Sequence, residues 1–205
     1  MKNNNMKNGS RFAFYLTPPY QIAKDIAEIQ SMLKKQYSYS AANKFQAHCT
    51  IKGFFKINKK SVTSLVDELD EFLKRQHPFM VEFNEIQTKQ ISIVLRLDEI
   101  DGNRNQNLHN FRESIVEIIR PYIASDCDFI KSDLGPPFMG HITLAFCDIS
   151  DEMYPQILKW LNDAPIPEGK FLANTFHFLE FFSEDWDGNW WETITWKQHH
   201  SWRLS

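Results

Sequence analysis

The sequence predicts an α+β fold in which one set of helices and strands occurs twice. Four segments carry apolar residues at the spacing of a helix, and β-forming apolar runs lie between them. The two halves of the chain follow the same order: a helix, a strand with a His-x-Thr motif, a second helix and two further strands. This order indicates a duplicated unit, although the halves share little residue identity outside the motif.

The first half opens with a short aromatic strand that Pro18-Pro19 ends. A helix follows, because Ile22, Ile26 and Ile29 recur at helical spacing. The predicted elements of this half are a strand over 11–17, a helix over 22–33, the first His-x-Thr strand over 46–54, a helix over 62–73, and strands over 79–83 and 91–97 that we expect to pair antiparallel.

The second half follows the most loop-like interior segment, residues 101–107. Its first helix carries inward apolar residues over 108–119, and Gly135-Pro136-Pro137 leads into the second His-x-Thr strand. A fourth helix is predicted over 152–161, with Ser150 or Asp151 placed to cap its N-terminus. Aromatic strands over 176–182 and 190–196 then close the chain.

The composition fits one domain or two closely packed lobes. Hydrophobic residues make up 42% of the 205 residues, with 17 Phe and 6 Trp, so a sizeable core can form. The net charge of −3 argues against a surface that grips long nucleic acid, but it suits a small nucleotide or an RNA end. The three cysteines have no metal-like spacing, and no apolar stretch is long enough to span a bilayer. The start of the chain is rich in Asn and Lys and lacks an apolar signal region, so residues 1–10 are predicted to be a flexible tail. We therefore expect a cytoplasmic protein that is not bound to a membrane.

Two short segments carry the chemistry: His48-Cys49-Thr50 and His141-Ile142-Thr143. Side chains alternate along a strand, so the His and Thr of each motif point to one face while the residue between them points into a core. Two such pairs facing each other supply two groups that transfer protons near neutral pH and two hydroxyl donors. Acid–base chemistry on a phosphodiester needs this equipment.

With both motifs and the duplicated order, the chain resembles the two-histidine (2H) phosphoesterases, which include the 2'-5' RNA ligase-like proteins and cyclic-nucleotide phosphodiesterases. The opening segment from Arg11 to Pro19 is similar to the first strand and proline-containing turn of that superfamily. The resemblance implies a bilobal fold: two pseudo-twofold-related lobes of antiparallel sheet with flanking helices and a central groove. It makes residues 11–205 a single domain.

The motifs assign roles to four residues. A phosphodiester hydrolase needs one base to activate water and one acid to protonate the leaving oxygen, and two histidines do this without a metal or cofactor. By analogy with the superfamily, His141 is the base and His48 the acid. Thr50 and Thr143 are expected to donate to the non-bridging phosphate oxygens, where negative charge builds up in the transition state.

Three further residues are candidates for substrate binding. Tyr15 could stack on a base, with core packing as the alternative. Lys52 shares the alternation face of the first motif and is either a phosphate contact or an exposed residue at a strand end. Arg96 either projects into the groove or belongs to a salt bridge. The Trp-rich segment around 186–196 is interpreted as a turn that closes the core, and His199-His200-Ser201 as part of a polar tail.

The function predicted is therefore a metal-independent phosphodiesterase that acts on a 2'-linked phosphate, either a 2',3'-cyclic phosphate or a 2'-5' linkage, of a nucleotide or RNA end. We expect a monomer. One alternative is a module that binds a nucleotide or RNA end without turning it over. The other is a metallohydrolase with His48 and His141 as ligands, although no Asp, Glu or Cys accompanies them at ligand-like spacing.

Overall fold

The computed structural model describes residues 9–57, 61–127 and 138–205. The predictions that concern residues 1–8 of the tail and Gly135-Pro136-Pro137 lie outside these ranges. The helices are α1 (Tyr20–Tyr37), α2 (Val62–Leu73), α3 (Gln106–Ile119) and α4 (Tyr154–Asn162). The strands are β1 (Arg11–Thr17), β2 (Cys49–Phe55), β3 (Phe79–Glu82), β4 (Ile86–Lys89), β5 (Ser92–Arg96), β6 (Glu99–Ile100), β7 (Asn103–Arg104), β8 (His141–Phe146), β9 (Lys170–Ala173), β10 (Thr175–Phe182) and β11 (Thr195–Arg203).

Seven strands form one sheet in the order β11-β10-β1-β2-β8-β5-β4. Every neighbouring pair in it is antiparallel. The two sides of the sheet meet at β2 and β8, where the register consists of one pair, Cys49 with Ile142. The sheet therefore has two lobes joined along the strands that carry the two motifs.

The predicted duplication is confirmed. The last strand of each unit pairs with the first strand of the other unit, and we call these two strands, β4 and β10, the exchanged strands. The unit β1-α1-β2-α2-β3-β4 repeats as β5-α3-β8-α4-β9-β10, with the small hairpin β6–β7 inserted after β5 and with β11 added at the end. Strand β4 pairs with β5 of the other unit, and β10 pairs with β1. The third strands, β3 and β9, pair with each other. Each lobe of the sheet thus contains strands from both units.

The two faces of the sheet differ. All four helices contribute to the larger apolar cluster, which contains Phe14 of β1, Ile142 of β8 and Phe178 of β10. The opposite face carries a smaller cluster around Ala13, Tyr15 and Phe181, which leaves room for a pocket. None of the helices in the described ranges is both long and apolar enough to cross a bilayer.

One predicted strand pairing is wrong, and two short strands were not predicted. The strands near 79–83 and 91–97 do not pair with each other: β3 pairs with β9, while β5 lies between β4 and β8. Strand β4 was not predicted because Ile-Gln-Thr-Lys is short and mostly polar, and its hairpin turn depends on Gln90, whose φ is 52°. Strand β9, Lys-Phe-Leu-Ala, is likewise only four residues long, and it pairs with β3, a strand distant in the chain.

The other departures concern element ends. The loop-like segment 101–107 contains β7 and the start of α3, where the Asn105 side chain accepts a hydrogen bond from Leu108 N. A 3-10 turn, Asp151–Met153, precedes α4, and neither it nor α4 has a side-chain cap. The segment 190–196 begins as a 3-10 turn, Trp190–Glu192, and the segment assigned to a polar tail is the strand β11, which pairs with β10.

Candidate active site

The pairing of β2 with β8 brings the two motifs together. Because Cys49 lies opposite Ile142 in an antiparallel pair, His48 lies opposite Thr143 and Thr50 lies opposite His141. All four side chains line one pocket with a volume of about 320 Å³. The threonine hydroxyls make no hydrogen bond with any other residue in the described ranges, so both are available to a ligand.

Both imidazoles are held in the same way. His48 Nδ1 lies 2.7 Å from Gln46 O, and His141 Nδ1 lies 2.7 Å from Met139 O. A carbonyl oxygen only accepts, so each Nδ1 carries the proton and donates it. Each Nε2 is then left to accept or donate a proton.

Two further contacts fix the backbone of the motifs. The Asp148 carboxylate, which follows β8, accepts hydrogen bonds from Ser40 N at 2.6 Å and Ala41 N at 2.9 Å, and so anchors the loop that leads to His48. The buried Gln30 side chain of α1 donates to Thr143 O at 2.9 Å. Gln30 was not predicted, although a polar residue within the buried stripe of a helix is a signal that could have identified it.

Burial makes both histidines difficult to protonate. It lowers the pKa of His48 to about 4, where the nearby His141 contributes and the hydrogen bond to Gln46 opposes the shift. It also lowers the pKa of His141 to about 4, with a contribution from the Lys89 ammonium, against the hydrogen bond to Met139 and the Asp98 carboxylate. Without an anionic ligand beside them, both imidazoles are therefore neutral at pH 7.

The protein is expected to lose stability in mild acid because of these two histidines. The unfolded chain takes up protons near pH 6.5 and the folded site only near pH 4, so the free energy of unfolding falls as the pH drops between these values. At pH 5 each histidine should cost roughly 1–2 kcal/mol. We expect the variant with both His48→Gln and His141→Gln to lose less stability than the wild type between pH 7.5 and pH 5 in urea unfolding, whereas His77→Gln, at an exposed position, should behave as the wild type. An equal loss in the double variant would contradict the prediction.

The structure places Tyr15 against His48. The two rings stack with centroids 3.7 Å apart and an interplanar angle of 14°, and Tyr15 is only 3% exposed. Burial raises the pKa of the Tyr15 phenol, which stays protonated. Tyr15 lines the pocket, but its ring face is occupied by the imidazole, so it supports His48 and has no free face for a base.

Lys52 is not brought into the pocket, and the alternation argument fails at this position. Tyr15 pairs with Thr50 but Phe14 pairs with Lys52, so the register between β1 and β2 shifts by one residue after Thr50. Lys52 therefore faces the core side with Phe14 and is 1% exposed. Its ammonium donates to Gly53 O at 3.2 Å and lies 5.3 Å from the centre of the Phe55 ring.

Arg96 belongs to a salt-bridge cluster, the second of the two alternatives. Its guanidinium donates to Asp98 at 3.0 and 3.1 Å, to Glu85 at 2.9 Å and to Glu99 at 2.7 Å. It lies beside His141 in the sheet register but does not line the pocket. We therefore leave Arg96 out of the candidate site.

The Trp-rich segment serves both the core and the pocket. Trp186 is 4% exposed and packs in the smaller cluster, and the Asp185 side chain accepts from Asp187 N and Gly188 N, which confirms the predicted turn. Trp190 lies 5.2 Å from Phe54 and 5.7 Å from Phe146, measured between ring centres. Apart from Tyr15, four Phe and Trp residues line the pocket beside the motifs, and we call them the aromatic wall: Phe45, Phe54, Phe146 and Trp190.

One charged pocket residue was not predicted. Lys89, the last residue of β4, lines the pocket together with His141 and Thr143. Nothing in Thr88-Lys89-Gln90 distinguishes it from an exposed lysine at a turn, so the sequence offered no signal for it.

As for metals, the described ranges contain no group of three or more His, Cys, Asp or Glu side chains that could hold an ion.

A two-lobed antiparallel sheet with a His-x-Thr motif at each central strand defines the class of 2H phosphoesterases. The chain belongs to the 2'-5' RNA ligase superfamily of this class, since the model of that family matches residues 18–182. The resemblance inferred from the motifs is thereby confirmed.

Solved structures of low sequence identity share the fold. TT0787 of Thermus thermophilus is 11% identical with a TM-score of 0.62, over 95% of this chain and 97% of that chain. Escherichia coli LigT, solved with 3'-AMP, is 15% identical with a TM-score of 0.56, over 97% of this chain and 99% of that chain. Among curated proteins the comparison finds no match.

Proposed function

We propose that the chain is a phosphodiesterase that uses no metal or cofactor and hydrolyses a 2'-linked phosphate of a nucleotide or RNA end. The substrate is a 2',3'-cyclic phosphate or a 2'-5' linkage, and His48 and His141 transfer the protons. Family membership supports an enzyme of the 2H type. The observation that carries the proposal is the matched pair of imidazoles, each fixed through Nδ1 and each opposite a threonine of the other motif.

In the hydrolysis of a cyclic phosphate, the two histidines begin in opposite protonation states. His141, neutral, takes a proton from water as the water oxygen bonds to phosphorus. The bond between phosphorus and a ribose oxygen breaks, and protonated His48 gives its proton to that oxygen. The products are a phosphomonoester and a free ribose hydroxyl, and the next turnover starts when solvent restores the two protonation states.

The negative charge of the substrate explains why the pair of histidines takes up a proton. Burial alone keeps both imidazoles neutral, but a phosphodiester anion beside them favours the charged form of one. The hydroxyls of Thr50 and Thr143 donate to the non-bridging oxygens, where negative charge increases in the transition state.

The rest of the pocket favours a small nucleotide. The aromatic wall offers ring faces and edges of the kind on which bases of single-stranded RNA stack. The volume of about 320 Å³ and the net charge of −3 disfavour a long duplex. Escherichia coli LigT has been solved in complex with 3'-AMP and with NADP+, which supports a nucleotide-sized ligand here.

The substrate class is tested by turnover on matched pairs. The wild type is incubated with 2',3'-cyclic mononucleotides, with 2'-5' and 3'-5' linked diadenosine, and with cyclic dinucleotides, and products are separated by liquid chromatography. We expect hydrolysis of at least one 2'-linked substrate, faster than that of the 3'-5' dinucleotide, and a rate lower by about 10²–10⁴-fold with His48→Gln/His141→Gln. Preference for the 3'-5' linkage would defeat the substrate claim and leave the two-histidine mechanism in place.

The same assay separates the alternatives. Activity should survive exhaustive treatment with EDTA, whereas loss on chelation and recovery with zinc or manganese would identify a metallohydrolase. Tight binding of a nucleotide without any turnover would identify a binding module.

A further inference from the structure

Lys89 is a cation at the pocket that the histidine mechanism does not yet use. Its side chain is partly buried, and it makes no ion pair or hydrogen bond with any residue in the described ranges. Burial removes part of the water around its ammonium and lowers the pKa of that group. An unpaired cation in such a place indicates that an anionic ligand completes the site.

The other residues of the pocket leave this role to Lys89. None of the described residues that line it is an Asp or Glu, so this part of the chain supplies no counter-ion to the ammonium inside the pocket. Arg96 is bound by three carboxylates, and Lys52 faces the core. Neither of the two cations predicted from the sequence can therefore supply positive charge to the phosphate.

The position of Lys89 is fixed relative to His141. Lys89 pairs with Ser92 across the hairpin, and Ser92 Oγ donates to Lys89 O at 2.7 Å. Ser92 in turn pairs with Phe146 of β8, the strand that begins at His141. The backbone of Lys89 thus belongs to the lobe that carries the second motif.

Lys89 makes the surroundings of the two imidazoles unequal. Its charge opposes protonation of His141, whereas Asp98, which favours it, is already paired with Arg96. Among the residues that the structure describes, no lysine or arginine lowers the pKa of His48; the titratable neighbour that lowers it is His141. The titratable groups beside His141 are Lys89 of β4, Asp98 after β5 and His48, which directly precedes β2. Those beside His48 are His141 of β8 and Tyr15 of β1, while the Cys49 thiol lies in the core.

We propose that Lys89 binds a non-bridging oxygen of the reacting phosphate and acts as the positioning residue that directs the single proton of the histidine pair to His48. It thereby sets the direction of proton flow: His141 is kept free to accept a proton from water and His48 is kept charged to give one to the leaving oxygen. This role rests on the proposed function, because it assumes a phosphodiester between the two histidines.

The first test is the pH profile of kcat/KM on the best 2'-linked substrate. His141 must be neutral to act as the base, so the acid limb of the profile follows its pKa, and loss of the Lys89 charge should raise that pKa. We expect Lys89→Met to move the acid limb about one pH unit upward and to raise KM about tenfold. Lys89→Arg should restore both, and Lys24→Met, an exposed lysine of α1, should change neither.

The second test needs no turnover. The imidazole NMR signals are followed at pH 6 as 2'-AMP is added to wild type, Lys89→Met and Lys89→Arg. We expect 2'-AMP to protonate His48 and to leave His141 neutral in the wild type and in Lys89→Arg. In Lys89→Met it should bind about tenfold more weakly and share the proton between both rings.

The outcomes separate the two proposals. Failure of 2'-AMP to bind the wild type, or an unchanged acid limb and unchanged histidine signals in folded Lys89→Met, would overturn the role of Lys89, whatever the enzyme hydrolyses. If the wild type turns over nothing in the panel but the histidine signals still depend on Lys89, then the proposed function fails and the anion site stands.

Discussion

Replacing either His48 or His141 with glutamine is expected to lower kcat on a 2'-linked substrate by about 10²–10⁴-fold, the usual contribution of a proton-transfer group. Glutamine keeps a polar side chain of similar size, but its amide cannot accept or release a proton as the imidazole Nε2 does. Because the two groups act in one step, the double variant should be little worse than either single variant. Steady-state kinetics at pH 7 measures this effect.

The control for this prediction is His77→Gln, since His77 is exposed and does not line the pocket. It should keep the activity of the wild type. Circular dichroism and thermal unfolding establish that each variant is folded. A folded His48→Gln or His141→Gln protein with near-wild-type turnover would exclude the acid–base assignment for that residue.

Replacing Thr50 or Thr143 with valine should lower kcat by about 10- to 100-fold each, which corresponds to one hydrogen bond to a charged oxygen. Valine preserves the shape and the β-branched preference for a strand, so the hydroxyl is the main group lost. Both hydroxyls lack a partner in the described ranges, and their removal therefore leaves no buried group unsatisfied. The effect should appear in kcat more than in KM, because the charge on the oxygens grows in the transition state.

Serine at either position should recover most of the rate, and Thr195→Val, at an exposed position of β11, should have no effect. Equal losses in the serine and valine variants would show that the methyl group, rather than the hydroxyl, is what the site requires.

The parts of the site that were predictable from the sequence are those set by local geometry. A His and a Thr two residues apart in a strand share a face whatever the rest of the chain does, and the side chains of both motifs do line one pocket. Lys52 lies only two residues beyond Thr50, but the shifted register between β1 and β2 turns it towards the core. Lys89 lies at the pocket because β5, the hairpin partner of β4, pairs with β8. No local sequence pattern predicts this long-range pairing.

The same distinction applies to the fold. Helices α2 and α3 were predicted closely, because their apolar stripes are strong. Strands β4 and β9 were missed because each has only four residues; β4 is mostly polar, and β9 depends on pairing with β3, which is distant in the chain. The helix cap expected at Ser150 or Asp151 is absent since a 3-10 turn occupies that position.

The exchanged strands affect how the chain folds during its synthesis. Strand β1 lies between β2 and β10, and its pairing with β10 joins Arg11 to Phe181. The ribosome therefore synthesises most of the chain before β10 is available to pair with β1. Until then this side of the sheet cannot form, and its apolar residues stay exposed to water. Contacts this distant in the chain slow folding and favour help from chaperones. The pocket, whose wall includes Trp190, is completed only after this late step, so a nascent chain has no finished site with which to bind nucleotides.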